Sequence, residues 1–310
     1  MSTFDEYFNR LSHPDAAVRR LAILALAESG EVTLVPRLAE MLRDPDPEVR
    51  LETARALEEF EGAEVVDALL AALADADPSV KAEAAGALEG KADAASLPRF
   101  LEGLETSDAF VRSAILRAVT PLCSTTALTP ALAALGDGDA MVRLAAIGVL
   151  GQLPGDSAVP PLMTATRDES HEVRRAAVDA LAIRGIAIPD ALADPEWQVR
   201  RDAAEAVGRT KDFDNAKALL AALDDGYWQV VQEAVRSLGR IGDVRAVPAL
   251  GRLLLEHPES NVRKEAAAAL GTLAPDTASV FLRQALDDPD ADVRKLARRA
   301  LENPAPKSRG

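Results

Sequence analysis

A single cysteine, Cys123, rules out an internal disulfide framework and any metal site built from several thiolates of one chain. Its place beside Leu122, at the end of an apolar helical stretch, predicts a buried and inert thiol. Aromatic residues are only 4 % of the chain, while alanine and leucine dominate, which suits close-packed helices better than a β-sandwich. No apolar run reaches ~18 residues, so no membrane span is expected. The opening MSTFDEYFNRL lacks a basic stretch followed by an apolar one, and so does not read as a secretory signal. A soluble, cytoplasmic protein is the expectation. Positive charge is also scarce: the formal net charge is −15. Residues 1–150 carry 13 Lys+Arg against 25 Asp+Glu, and the remainder 22 against 25. That balance disfavours phosphate backbones and anionic membranes, so neither DNA, RNA nor a membrane is expected as partner.

What the chain has is a repeat. The frame of DPDPEVRLETARAL (44–57) recurs ten times, with its valine at Val18, Val49, Val80, Val111, Val142, Val173, Val199, Val230, Val262 and Val293. Successive valines are 31 residues apart, except for one interval of 26 and one of 32. A fixed period of this size is the signature of a solenoid. Three residues before the valine stands a helix-capping aspartate (Asp15, Asp46, Asp77, Asp108, Asp139 or Asp290), twice followed by proline in the first helical turn. Apolar residues recur four, seven and eight positions after the valine, one face of an α-helix. Glycines such as Gly151, Gly208, Gly239 and Gly271 are expected to close these helices. A second helix then precedes the next turn, as in SAVPPLMTA or RAVPALGRLLL.

This pattern resembles the HEAT-like repeats associated with phycobilisome lyases, over residues 2–301. The resemblance implies an all-α fold, an α-α superhelix of about ten two-helix units and some twenty helices. It places first helices on the convex side and second helices on the concave side, and implies no activity by itself. A single solenoid over 1–303 is expected, with half-repeat caps at 2–11 and 290–301 and a disordered tail at 304–310. The repeat at 173–198 is five residues short and should leave a notch beside Ile186, Ile188 and Pro189, with a local change of curvature.

Charge recurs in register. Arg19, Arg50, Lys81, Arg112, Arg143, Arg174, Arg200, Arg263 and Arg294 follow the valine, and Asp44, Asp75, Asp137, Asp168, Asp194, Asp225 and Asp288 stand five residues before it. Stacked repeats would set these side by side as a structural ladder rather than a binding stripe. Breaks fall at Val231, His13, Thr106 and His257. The histidines His13, His171 and His257 lie three repeats or more apart, too far to share a metal. HEAT-like hydroxylases use paired His-Glu motifs, and here only His171-Glu172 matches. No nucleophile elbow or phosphate-binding glycine loop occurs. Neither a metal nor a cofactor is expected, and no catalytic residue is assigned.

One edge departs from the pattern. Two residues before the valine, most repeats carry alanine, proline or serine, but repeats six to eight carry His171, Trp197 and Trp228. Tyr227 adjoins them, and Arg174, Arg175, Arg200 and Arg201 lie within a turn. These rings either patch the packing of the short repeat or form an aromatic–arginine edge that grips a partner. Exposed charges on the second helices (Arg37, Glu40, Asp67, Arg99, Glu102, Lys217, Arg252 and Arg283) alternate in sign, as on a solvated face. The functional expectation is a non-catalytic scaffold or adaptor that binds a partner protein through this edge and the concave face. The alternative is a bilin-lyase-like or cofactor-maturation chaperone.

Overall fold

The computed structural model describes residues 3–273 and 275–302. Among them are nineteen α-helices, seven short 3-10 turns and no strand. The chain divides into two compact units, Met1–Ala158 and Val159–Gly310. The first contains α1 (Thr3–Arg10), α2 (Ala16–Ala27), α3 (Val35–Glu40), α4 (Pro47–Leu57), α5 (Ala63–Ala72), α6 (Pro78–Leu88), α7 (Leu97–Glu102), α8 (Ala109–Val119), α9 (Leu128–Ala134) and α10 (Ala140–Gln152). The second contains α11 (Val159–Ala165), α12 (His171–Ile183), α13 (Trp197–Thr210), α14 (Ala216–Ala222), α15 (Trp228–Ile241), α16 (Val247–Glu256), α17 (Ser260–Leu273), α18 (Pro275–Gln284) and α19 (Ala291–Glu302). Each unit is built of helical hairpins, as the repeat frame requires. The caps expected at 2–11 and 290–301 correspond to α1 and α19, and the expected tail lies outside the described residues.

The aspartate starts are visible as hydrogen bonds. Asp46 accepts from the Glu48 N–H at 2.9 Å, Asp77 from Ser79 at 2.8 Å and Asp108 from Phe110 at 2.9 Å. Each satisfies an N–H that the helix itself cannot. The repeat valines at 49, 80, 142, 173, 199, 230, 262 and 293 are all fully buried. Around them the core is mostly alanine, leucine and valine, with a few isoleucines and the phenylalanines Phe60 and Phe100 among its buried residues.

Two expectations fail. Gly151, Gly208, Gly239 and Gly271 do not close helices; they lie inside α10, α13, α15 and α17. Close approach explains three of them. A Cβ on Gly208 would sit 2.2 Å from Ser237 Oγ, on Gly239 3.0 Å from Ala269 Cβ, and on Gly271 2.7 Å from Ala300 Cβ. The missing side chain lets successive first helices pack backbone against backbone. Cys123 is exposed rather than buried. Helix α8 stops at Val119, a 3-10 turn takes Thr120–Leu122, and Cys123 follows in the left-handed region at φ 48°. The proline at 121 ends the helical stretch, so the thiol leaves the core face with the turn.

The sixth repeat has no second α-helix. Residues Pro189–Ala193 form a 3-10 turn instead. A cleft of about 540 Å³ lies there, lined by Met163, Ile188 and Pro189 among others. Ile186 does not line it. The cleft between α3 and α5 in regular repeats measures about 550 Å³. The cleft at the short repeat is therefore about the same size as that ordinary inter-helix groove.

Candidate functional site

The charged register is a ladder of forked ion pairs between successive repeats. Arg200 donates from Nε and Nη2 to the two oxygens of Asp225, at 2.6 and 3.0 Å. Its third nitrogen, Nη1, donates to the carbonyls of Asp194 and Pro195 in its own turn, at 2.8 and 3.0 Å. Asp225 in turn accepts from the Tyr227 N–H at 2.8 Å. Each rung thus ties two turns together and caps the second. The same geometry joins Arg19 to Asp44, Arg50 to Asp75, Arg112 to Asp137, Arg174 to Asp194 and Arg263 to Asp288. Partners are 25 residues apart, but 20 for Arg174 and Asp194. The five-residue deletion falls in the segment between the two partners of this rung and leaves their ion pair intact.

Titration follows the pairing. Hydrogen bonds to aspartate raise Arg50, Arg112, Arg174 and Arg200 above the ordinary arginine value. The same bonds hold Asp75 and Asp137 low. At Asp194 and Asp225 burial pushes the carboxyl up, but the guanidinium and a backbone N–H outweigh it and the net direction is down.

Apart from His13, the breaks come in matched pairs. Val231 stands where the arginine would be, and His257, 26 residues on, where its aspartate would be. Lys81 and Thr106 replace another pair together, and Lys81 reaches Asp108 instead. The substituted positions keep the turn-capping half of the role. His13 Nδ1 accepts from the Asp15 N–H at 3.1 Å, His257 Nδ1 from Glu259 at 3.1 Å, and Thr106 Oγ1 from Asp108 at 3.2 Å. The constant spacing between ladder partners carried this signal in the sequence; each column considered alone did not.

On this ladder sits the aromatic edge, within the second compact unit. Trp197 opens α13, Trp228 opens α15, and Tyr227 precedes it. Trp197 stacks on Tyr227, with ring centroids 5.6 Å apart and planes 13° off parallel. Equivalence of position between stacked repeats would set Trp228 beside Trp197. The turn capped by Asp225 instead presents Tyr227 to the preceding repeat, while Trp228 is half-buried against the core. Tyr227 is 49 % exposed; Trp197 is half-buried and also packs on the core. His171 opens α12 and its Nδ1 lies 3.3 Å from Glu172. It makes no ring stack with Trp197; among the described residues the stack is Trp197 on Tyr227.

All four arginines are engaged by aspartate. Arg174 and Arg200 belong to the ladder and are largely buried. Arg175 and Arg201 converge on buried Asp202, at 2.7 and 2.6 Å. Arg200 also lies 5.6 Å from the Tyr227 ring centroid and Arg201 5.8 Å from that of Trp197, within cation–π range. Charged, ring-faced arginines thus hold the aromatic pair in place. On the second helices, Arg99 pairs with Asp67 at 2.8 Å and Arg252 with Asp224 at 2.9 Å, all four exposed. Arg37 pairs with Glu40 along one helix. Glu102, Lys217 and Arg283 are exposed as well.

Among the described residues no group of three or more His, Cys, Asp or Glu is placed to hold a metal ion. None of the described helices is long and apolar enough to cross a membrane.

These hairpins, register and ladder define an α-helical repeat protein. The family of HEAT repeats matches residues 5–76, 66–139, 127–193, 187–256 and 216–302, and the chain belongs to it. The match is to HEAT repeats in general, without a lyase-type assignment. No curated protein matches the chain. Among solved structures, an engineered protein is 22 % identical with a TM-score of 0.55, each chain covered in full. Kap95p, in a structure reporting that its binding induces the switch loops of RanGDP to adopt the GTP-bound conformation, is 14 % identical with a TM-score of 0.66. That likeness covers 97 % of this chain and 49 % of Kap95p. Kap121p is 15 % identical with a TM-score of 0.60, over 96 % of this chain and 40 % of its own. The chain therefore spans half or less of these two proteins, and the likeness is one of fold.

Proposed function

We propose that this protein is a non-catalytic scaffold that grips a partner protein through the Trp197–Tyr227 edge, with the second-helix face as a further contact surface. The observation that carries the reading is Tyr227: a large ring, half exposed, held by a stack on one side of its turn and a capped, ion-paired turn beneath it. A rigid, partly exposed aromatic is what an interface hot spot uses, because little side-chain entropy remains to be lost on binding. The HEAT-repeat neighbour Kap95p, which engages RanGDP, supports protein binding as the use of such a fold.

The same geometry weighs against the chromophore-chaperone reading. A bilin's propionates would call for arginine forks open to a ligand, and the forks of Arg174, Arg175, Arg200 and Arg201 already face aspartates. Aspartates in those positions would repel a second carboxylate. A cytoplasmic setting suits a chain with one exposed thiol.

The test is capture of partners from the native host by wild-type protein, Tyr227→Ala and Trp197→Ala, normalised to folded molecules by circular dichroism. Loss of a specific partner in both variants, with the fold retained, is the expected result. Full capture by both variants, or incorporation of bilin into a covalent acceptor adduct by the purified protein, would overturn the reading.

A further inference from the structure

The first helices carry a second irregularity, in the other compact unit. Three and six residues after its repeat valine, α2 presents Leu21 and Leu24, which are 64 % and 41 % exposed. The next repeat has Glu52 and Arg55 at these positions, and repeat eight has Glu233 and Arg236. Those residues ion-pair along their own helix, Arg55 with Glu52 at 3.7 Å and Arg236 with Glu233. The leucines have no such role. Spaced i, i+3, they form one apolar strip on the helix surface.

Beside this strip lies a cleft of about 520 Å³ between α2 and α4. Leu24, Ala27 and Ala56 supply its apolar wall and exposed Glu28, Glu59 and Arg55 its rim, while Glu52, which also lines it, is buried. Glu52 is shared between Arg55 and, at 4.0 Å, Arg20. Glu28 and Glu59 are exposed, and among the described residues neither has an ion-pair partner. An apolar wall beside two carboxylates without ion-pair partners is selective in what covers it. The surrounding stretch, residues 1–150, also holds most of the chain's excess acid.

We propose that this cleft is a docking site for an amphipathic helix of another protein, with a leucine-type stripe flanked by lysine or arginine. The stripe covers Leu21 and Leu24, and the basic flanks meet Glu28 and Glu59. Helix-in-groove recognition of this kind reads apolar anchors at i, i+3 and i+4.

The probe is a fluorescent peptide of leucine and lysine arranged at helical period, with a control of identical composition whose leucines are scattered. Anisotropy at about 0.15 M salt, where surface charge alone is screened within ~8 Å, should give saturable binding to the full chain. The double variant Leu21→Gln/Leu24→Gln and the scattered peptide should each bind at least roughly tenfold more weakly. Both leucines are exposed, so the variant keeps its fold and its circular dichroism. On wild-type protein, methyl resonances of Leu21 and Leu24 should shift with peptide. Unchanged affinity in the variant, or shifts centred on residues away from the cleft, would overturn the proposal. So would concentration-dependent self-association of the protein alone that the double variant abolishes, since that assigns the cleft to a second copy.

Discussion

Replacing Arg200 by valine and Asp225 by histidine, singly and together, should reproduce in an intact rung the arrangement that the chain already carries at Val231 and His257. Arg200→Val strips Asp225 of both guanidinium donors and leaves a carboxylate that is 10 % exposed. Asp225→His leaves the Arg200 fork, 14 % exposed, without an acceptor on its outer edge. A hydrogen bond to a charged group contributes about 1.5–3 kcal/mol, and an orphaned buried charge costs more. Each single change should therefore cost about 2–4 kcal/mol. The double change removes both charges, and histidine at 225 can still accept from the Tyr227 N–H, as His257 does from Glu259. It should cost no more than one single change, a coupling of about 2 kcal/mol or more. Both tryptophans lie in the second compact unit, so their fluorescence during urea unfolding reports on the stretch that holds this rung. Costs that add to within about 0.5 kcal/mol would refute the ladder as a cooperative device.

Other outcomes follow from the same geometry. Gly208→Ala forces a Cβ to within 2.2 Å of Ser237 Oγ and 2.9 Å of its Cα, so α13 and α15 must separate; a loss of about 1–3 kcal/mol is expected by urea unfolding. Acid should destabilise the protein in a defined window. Asp75, Asp137, Asp194 and Asp225 are held below the usual carboxylate range, and Asp290 is lowered to about 2, where burial is outweighed by the Asp292 N–H and neighbouring side chains. Groups lowered in the folded state contribute stability above their unfolded value of about 3.9 and lose it as pH falls through the folded value. The urea midpoint should fall steeply between about pH 4 and pH 2. Asp179 and Glu233, raised by burial, act in the opposite sense and gain stability as they protonate. Cys123 should react with a thiol reagent in the native state without change in circular dichroism, whereas a protected thiol would mean that its turn is covered.

The fold was legible because its signal is periodic. The valine register, the capping aspartates and the apolar face four, seven and eight residues on each repeat many times, so single substitutions cannot hide them. The glycines misled because Gly208 and Gly271 look like helix ends in one dimension; only the distance to Ser237 or Ala300 in the next helix shows that they are contact points. Cys123 misled for a related reason, since Pro121 turns the chain out of the helix that an apolar stretch suggested. At the edge, the sequence placed Trp197, Tyr227 and the arginines together but not their order. Which ring faces Trp197 is set by the capped turn at Asp225, a backbone feature that residue equivalence between repeats does not encode. The recurring register of arginine and aspartate places Arg174 and Arg200 in the ladder, whereas the convergence of Arg175 and Arg201 on Asp202 lies outside that register and depends on which way each side chain reaches.

The most direct measurement is photo-crosslinking in the native host from a benzoyl-phenylalanine placed at Tyr227, beside a control at Val280, which is 56 % exposed and lies in the same compact unit. Crosslinking from position 227 to one discrete protein, absent from position 280 and lost when Trp197→Ala removes the stacked ring, is the predicted result. Equal crosslinking from both positions, or none from position 227 while the protein captures its partner intact, would contradict the aromatic edge as the gripping surface.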